Sequence, residues 1–292
     1  MQNNNIEKTL KIAILLTSVF FVVEIIGGIV SGSLSLLGDA GHMLRDILAL
    51  IISLSAINIA KKLPTAAKTF GYHRTEIFAA LVNGILLVGI SIWIFFEAYK
   101  RFFEPKSVES VTMFVVALVG LLINLYVAYK LHGSHDLNIK SAFFHVITDA
   151  ISSVAVIFAS IWIFFTNQTI VDPLLSIVLA FFILIYAFVI IKDAVHILLG
   201  FAPKNVNFDD VIKDMRKVKG VEGVHNLHLW TLCSNINVID VHIFTKQSKM
   251  HQIEKIKSQI KKNLEKYNIK HMTLEFECEE CSDNNETKSI RH

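Results

Sequence analysis

His42-Met43-Leu44-Arg45-Asp46 and His145-Val146-Ile147-Thr148-Asp149 carry one pattern, His-x-x-x-Asp, inside two separate apolar runs long enough to cross a bilayer. An ionisable residue at membrane depth costs about 2.5 to 3.5 kcal/mol on insertion scales, so four of them in matching pairs call for a compensating function. A bound cation is the simplest. Residues four apart on a helix are separated by about 40° around its axis, so each pair presents an imidazole and a carboxylate on one face. Two such helices facing each other supply His42, Asp46, His145 and Asp149 as four ligands. Two nitrogens and two oxygens suit a small tetrahedral site, which favours zinc, with cobalt or cadmium as alternatives, over the oxygen-seeking calcium and magnesium. The plainer reading, two buried hydrogen-bonding histidines and two aspartates paired with lysine or arginine, explains one motif as well as a metal does. It does not explain the duplication.

The 292-residue chain is 53% hydrophobic and 18% charged, with a mean hydropathy of +0.53, more apolar than a soluble globular protein. Its long apolar runs lie almost entirely before Gly200. A transmembrane domain is therefore expected over residues 1–202, a soluble α+β domain over 203–281 and a polar tail over 282–292. Six spans are expected, at Leu10–Val30, Leu34–Ala60, Glu76–Phe103, Val108–Leu131, Asn138–Phe165 and Asp172–Leu198, making the membrane part all-α. The first run carries Glu24 and has no small-residue cleavage site, so it reads as a span and not as a signal peptide. An even number of spans puts both termini on one side. Lys8 and Lys11, the basic residues 61–74 and Lys130 with Lys140 make that side cytoplasmic. His42 and His145 each lie about eight residues into their spans, from opposite sides, which puts both motifs near the midplane, where transport sites lie. Asp172 before Pro173 reads as a helix N-cap followed by proline at the first helical position.

After Pro203 the pattern becomes helical over Val206–Val218, β-rich over Val224–Leu232 and Asn237–Thr245, helical over Met250–Tyr267 and strand-like over Met272–Cys278. The order αββαβ gives a ferredoxin-like domain with two helices on one sheet face; the other face needs a partner, which suggests dimerisation. The net charge of +3 comes without aromatic interleaving of the basic residues, so nothing supports nucleic-acid binding. All three cysteines fall in this C-terminal part, and Cys278-Glu279-Glu280-Cys281 has the spacing of a metal or redox pair.

Glu24-Ile25-Ile26-Gly27-Gly28, Gly32 through His42 to Asp46, Phe70-Gly71-Tyr72-His73-Arg74, His145 through Asp149, Asp172-Pro173 and His225-Asn226-Leu227-His228-Leu229-Trp230 together resemble the cation diffusion facilitators, in the branch of bacterial zinc and cadmium efflux proteins. The resemblance runs from Glu24 to about Glu277. It implies a homodimer of six-helix protomers in the lipid bilayer, here expected to be the inner membrane of a bacterial cell, exporting divalent ions from the cytoplasm in exchange for protons. The family's transport ligands fall on His42, Asp46, His145 and Asp149. Members whose cytoplasmic domain binds zinc make His225, His242 and Glu277 candidate regulatory ligands, with Cys278 and Cys281 as soft additions. His73 is a further candidate in a loop that holds an extra zinc in some relatives; its plainer reading is a loop histidine. Arg45 departs from the family, which more often has Ser or Thr before the second aspartate.

The expected function is thus a proton-coupled zinc antiporter and not an enzyme. An intramembrane metalloenzyme would need an open coordination position and a general base, as in His-Glu-x-x-His, which is absent. A metal-sensing scaffold with anchoring spans would need no ligands at the midplane.

Overall fold

The computed structural model describes residues 2–44, 47–48, 65–131, 137–233 and 236–278. Its helices are α1 (Gln2–Ser31), α2, described over 34–44, α3 (His73–Phe103), α4 (Ser110–Leu131), α5 (Leu137–Thr166) and α6 (Val171–Leu198). Among the described residues, four helical stretches are long and apolar enough to cross a membrane: His73–Phe103, Ser110–Lys130, Val146–Thr166 and Val171–Leu198; Thr17–Ser31 in α1 is a shorter apolar helix. Most of the second expected span lies outside the described residues. The helices keep large apolar side chains such as Phe96, Phe158, Phe165 and Phe182 exposed, the surface a helix presents to lipid and not to water.

The chain divides into two compact units, Met1–Leu54 with Val82–Ile191 and Ser55–Leu81 with Lys192–His292. In the first, α1 packs on α4 through small residues. A Cβ on Gly27 would come within 2.6 Å of Val116, and one on Gly120 within 2.3 Å of the Phe20 ring, so the backbones approach as only glycine permits. Leu36, Met113, Ala117, Val156 and Ala159 form the buried contact of α2, α4 and α5. Leu34, Ile94, Ala98 and Ala180 do the same for α2, α3 and α6.

Asp172 does not cap its own helix. The helix α6 already begins at Val171, and the fully buried Asp172 carboxylate reaches the start of α2. It accepts from the Leu34 amide at 2.7 Å and the Ser35 amide at 3.1 Å, and from the Ser33 and Ser35 hydroxyls at 2.7 Å each. The first amides of α2 have no partner within their own helix, and in an apolar bundle no water replaces one, so a carboxylate from a neighbour satisfies them and answers the helix dipole. Arg101 of α3 completes the cluster, donating to Asp172 Oδ2 at 3.3 Å and to the Gly32 carbonyl at 2.6 Å. Gly32 itself turns the chain between α1 and α2 at φ +69°.

The second unit contains α7 (Phe208–Arg216), β1 (Gly223–Cys233), β2 (Ile236–Phe244), α8 (Met250–Leu264) and β3 (Ile269–Glu277), in the order αββαβ. The sheet is mixed: β1 runs antiparallel to β2 and β3 parallel to it. Val211, Ile212 and Met215 of α7 and Ile256, Ile260 and Leu264 of α8 cover one sheet face, meeting Leu227, Leu229, Ile239, Val241 and Ile243. Alternation along β2 then leaves Asp240 and His242 on the other face. In the same unit, Ile77 at the start of α3, Ala194 near the end of α6 and Cys233 of β1 share a small buried cluster.

Replacing Asp172 with Ala leaves Arg101 buried and two amides of α2 without an acceptor, a loss of about 3 kcal/mol or more. The expected result is a clearly lower melting temperature of the detergent-solubilised protein, with Asp172→Asn, which keeps one acceptor oxygen, falling between.

Candidate metal centres

His42 stands on α2 and Asp149 on α5, and their side chains meet: His42 Nδ1 lies 3.6 Å from Asp149 Oδ1. In a regular tetrahedron with metal–ligand bonds of about 2.0 Å, two ligand atoms stand about 3.3 Å apart. The pair therefore has the spacing of two ligands of one ion, with one member from each copy of the repeated motif. His145 lies on α5 one turn before Asp149, with its side chain outside the described part; Asp46 and Arg45 lie outside the described residues. Both side chains of the pair are only slightly exposed, 20% and 14%.

A second layer of polar groups adjoins the pair. Asp39, one turn before His42, accepts a hydrogen bond from the Ser152 hydroxyl, one turn after Asp149. Glu24 of α1 is 1% exposed, and its Oε2 has no hydrogen-bond partner among the described residues. Asp39 was legible as a polar position in a span. Ser152 was not, because a serine in a membrane helix most often bonds back to its own backbone, as Ser153 does to the Asp149 carbonyl at 3.1 Å.

The second centre is on the open face of the C-terminal sheet. His225 and His242 are register partners on β1 and β2, and Glu277 ends β3 opposite Phe244. The Glu277 carboxylate lies between the two imidazoles, with Oε2 3.0 Å from His225 Nε2 and Oε1 2.7 Å from His242 Nδ1. One ligand atom from each of the three lies within 4.8 Å of the others, the one such group among the described residues. His225 Nε2 and Glu277 Oε2 are buried and near each other, yet neither has a hydrogen-bond partner. Buried polar atoms are rarely left so, and an ion between them would satisfy both.

This arrangement depends on a bulge. His225 pairs with His242 but His228 pairs with Asp240, so β1 holds one residue more than its partner over this stretch. Asn226 takes up the extra residue at φ +49°, the left-handed region that asparagine tolerates. Core positions in β1 consequently run Val224, Leu227, Leu229, and both His225 and His228 stay on the half-buried face. Asn226 entered the sequence reading only as part of the His225–Trp230 motif, and strict alternation would have pointed it into the core.

The other candidates stand apart. Cys278 is exposed and outside the three-residue group, and Cys281 lies outside the described residues. His73 begins α3 with its Nδ1 3.9 Å from Cys233 Sγ, a single weak contact. His271 stacks edge-on against Phe70 with ring centroids 5.3 Å apart.

Apolar spanning helices with a largely buried imidazole–carboxylate pair, followed by an αββαβ domain with an imidazole–carboxylate triad, define an integral membrane protein with two candidate cation sites. The model of the cation efflux transmembrane domain matches residues 10–199, and that of the cation efflux protein cytoplasmic domain matches residues 203–279. The chain belongs to the cation efflux family, the cation diffusion facilitators, which are metal transporters and not enzymes. It is 37% identical over 278 residues to the cadmium, cobalt and zinc/H(+)-K(+) antiporter of Bacillus subtilis strain 168, covering 94% of this chain and 89% of that one. It is 38% identical over 277 residues to the metal cation efflux system protein CzcD of Cupriavidus metallidurans, covering 94% and 88%. Zinc transporter ZitB of Escherichia coli K12 is 37% identical over 285 residues, covering 96% and 90%.

Replacing His225 and His242 together with Ala is expected to remove one bound zinc per protomer from the purified full-length protein, measured by metal analysis after equilibrium dialysis. Replacing His73 with Ala is expected to leave the count unchanged.

Proposed function

We propose that the chain is a proton-coupled antiporter that exports Zn2+, with Cd2+ and Co2+ as alternative cargo, from the cytoplasm through a tetrahedral site formed by His42, Asp46, His145 and Asp149. The 3.6 Å approach of His42 to Asp149 carries this reading, because it pairs the two copies of the motif across α2 and α5. The names of the relatives, zinc transporters and a cadmium, cobalt and zinc antiporter, agree with it. The working unit is a homodimer of six-helix protomers in the inner membrane of a bacterium, with both termini in the cytoplasm and a ferredoxin-like domain at 203–281 that dimerises and senses metal.

Coupling follows from the ligand chemistry. An imidazole holds zinc only when neutral, and takes up a proton once the ion leaves, so metal and protons compete for one site. In exchange across a membrane, protons entering from outside displace the ion outward, and a low cytoplasmic proton activity lets the next ion bind. A scaffold that only sensed metal would leave the centre between α2 and α5 without a use.

Purified protein in liposomes with an imposed pH gradient is expected to move zinc against the proton flux, and collapse of the gradient to stop uphill movement. Zinc accumulation indifferent to the gradient sinks the coupling. Asp149→Ala is expected to abolish flux in folded, inserted protein. His42→Asp, which replaces a nitrogen ligand with oxygen, shifts the preference from zinc toward harder ions such as manganese.

A further inference from the structure

A cavity of about 230 Å³ lies wholly within the second unit, walled by Asp193 and His196 near the end of α6, Lys204 from the segment after it, and Thr231 and Asn237 of β1 and β2. Two of these residues are committed. The Thr231 hydroxyl donates to Asn237 Oδ1 at 3.1 Å and the Asn237 amide to the Tyr267 carbonyl at 2.8 Å, and both residues are buried, so they form a fixed polar wall. Asp193 and Lys204 differ: their side chains are 51% and 54% exposed and are held only by each other, in an ion pair. Such a pair contributes little in water. A ligand that brings an anion for Lys204 and a cation for Asp193 can therefore replace it.

The surroundings decide what kind of ligand this is. Asp193 belongs to the last turns of a stretch of membrane-spanning length, Val171–Leu198. Just beyond it Leu199 and Phe201 are exposed, and Phe201 stacks on the ring of His196 with centroids 4.8 Å apart. Large exposed apolar side chains beside a polar cavity, at the end of a spanning helix, match a phospholipid with its headgroup in the cavity and its chains along those residues. We propose that the cavity binds the headgroup of phosphatidylethanolamine, with the phosphate on Lys204 and the ammonium on Asp193. A purely basic site suits an anionic headgroup; here the Asp193 carboxylate would face that charge without a cation. Choline offers Asp193 no N–H to accept from. The volume lies below that of clefts for drug-sized ligands, about 300 Å³ upward, as a headgroup requires. Bound this way, the lipid bridges Asp193 and Lys204 across the turn at Gly200, φ +74°, and so holds the connection from α6 into the C-terminal domain. The proposal needs the chain to lie in a membrane and does not depend on its transport reading.

The test uses the full-length protein, delipidated in detergent, with added lipid counted by native mass spectrometry. Phosphatidylethanolamine is expected to bind about tenfold more tightly than phosphatidylcholine or phosphatidylglycerol with the same acyl chains, the range for one charge-assisted hydrogen bond gained. Equal affinities overturn the proposal. Glycerophosphoethanolamine, the same headgroup without chains, is expected not to displace the lipid; displacement at equal concentration makes the ligand a soluble zwitterion and overturns the lipid reading. Asp193→Lys changes an exposed side chain and puts two cations at the cavity, so the preference is expected to turn to phosphatidylglycerol. A variant that still prefers phosphatidylethanolamine overturns the assignment, and loss of fold cannot imitate a reversal between two lipids. Zinc flux enters none of these measurements, so their failure leaves the transport reading standing.

Discussion

A charged or hydrogen-bonding group inside an apolar helical bundle has no water to turn to, and that constraint shapes how the first unit places its buried polar groups. Asp172 is the clearest case. Its carboxylate meets four donors from residues 33–35 and the Arg101 guanidinium, so one buried charge ties the start of α2 to α3 and α6. The start of α2 is in turn what sets where His42 projects, two turns further on. A helix whose first amides were satisfied by water would be free to slide or rotate; this one is held.

The same constraint separates structural from functional charge. Asp172 is answered by protein donors on all sides. In the His42–Asp149 pair the imidazole and the carboxylate stand 3.6 Å apart, beyond hydrogen-bonding reach of each other and at a separation that suits a shared ion. One bundle thus holds a fixed charge and a centre suited to a cation.

In the C-terminal domain the deciding constraint is register. A parallel β2–β3 pairing brings Glu277, 35 residues on from His242, beside it, and the bulge at Asn226 keeps His225 and His228 on the face that α7 and α8 leave open. Without that extra residue, strand alternation would send His228 toward the core. The bulge also explains why a motif with two histidines three apart on a strand presents both of them on one side.

Much was legible in the sequence because it is periodic. Apolar runs of membrane length gave the four helices long enough to span, alternation gave three strands and αββαβ order, and a spacing of four put His145 one turn before Asp149 on α5, since helical geometry relates neighbours in sequence to neighbours in space. What only the tertiary structure decided are the relations between distant segments: His42 against Asp149, Ser152 against Asp39, Glu277 between His225 and His242, and Asp172 at the start of α2 instead of its own helix. Asp172 shows the reason. Next to proline at a helix start, local chemistry reads it as a cap, but a carboxylate binds whichever unsatisfied amides lie nearest in space, and packing of α6 against α2 and α3 chose those of another helix.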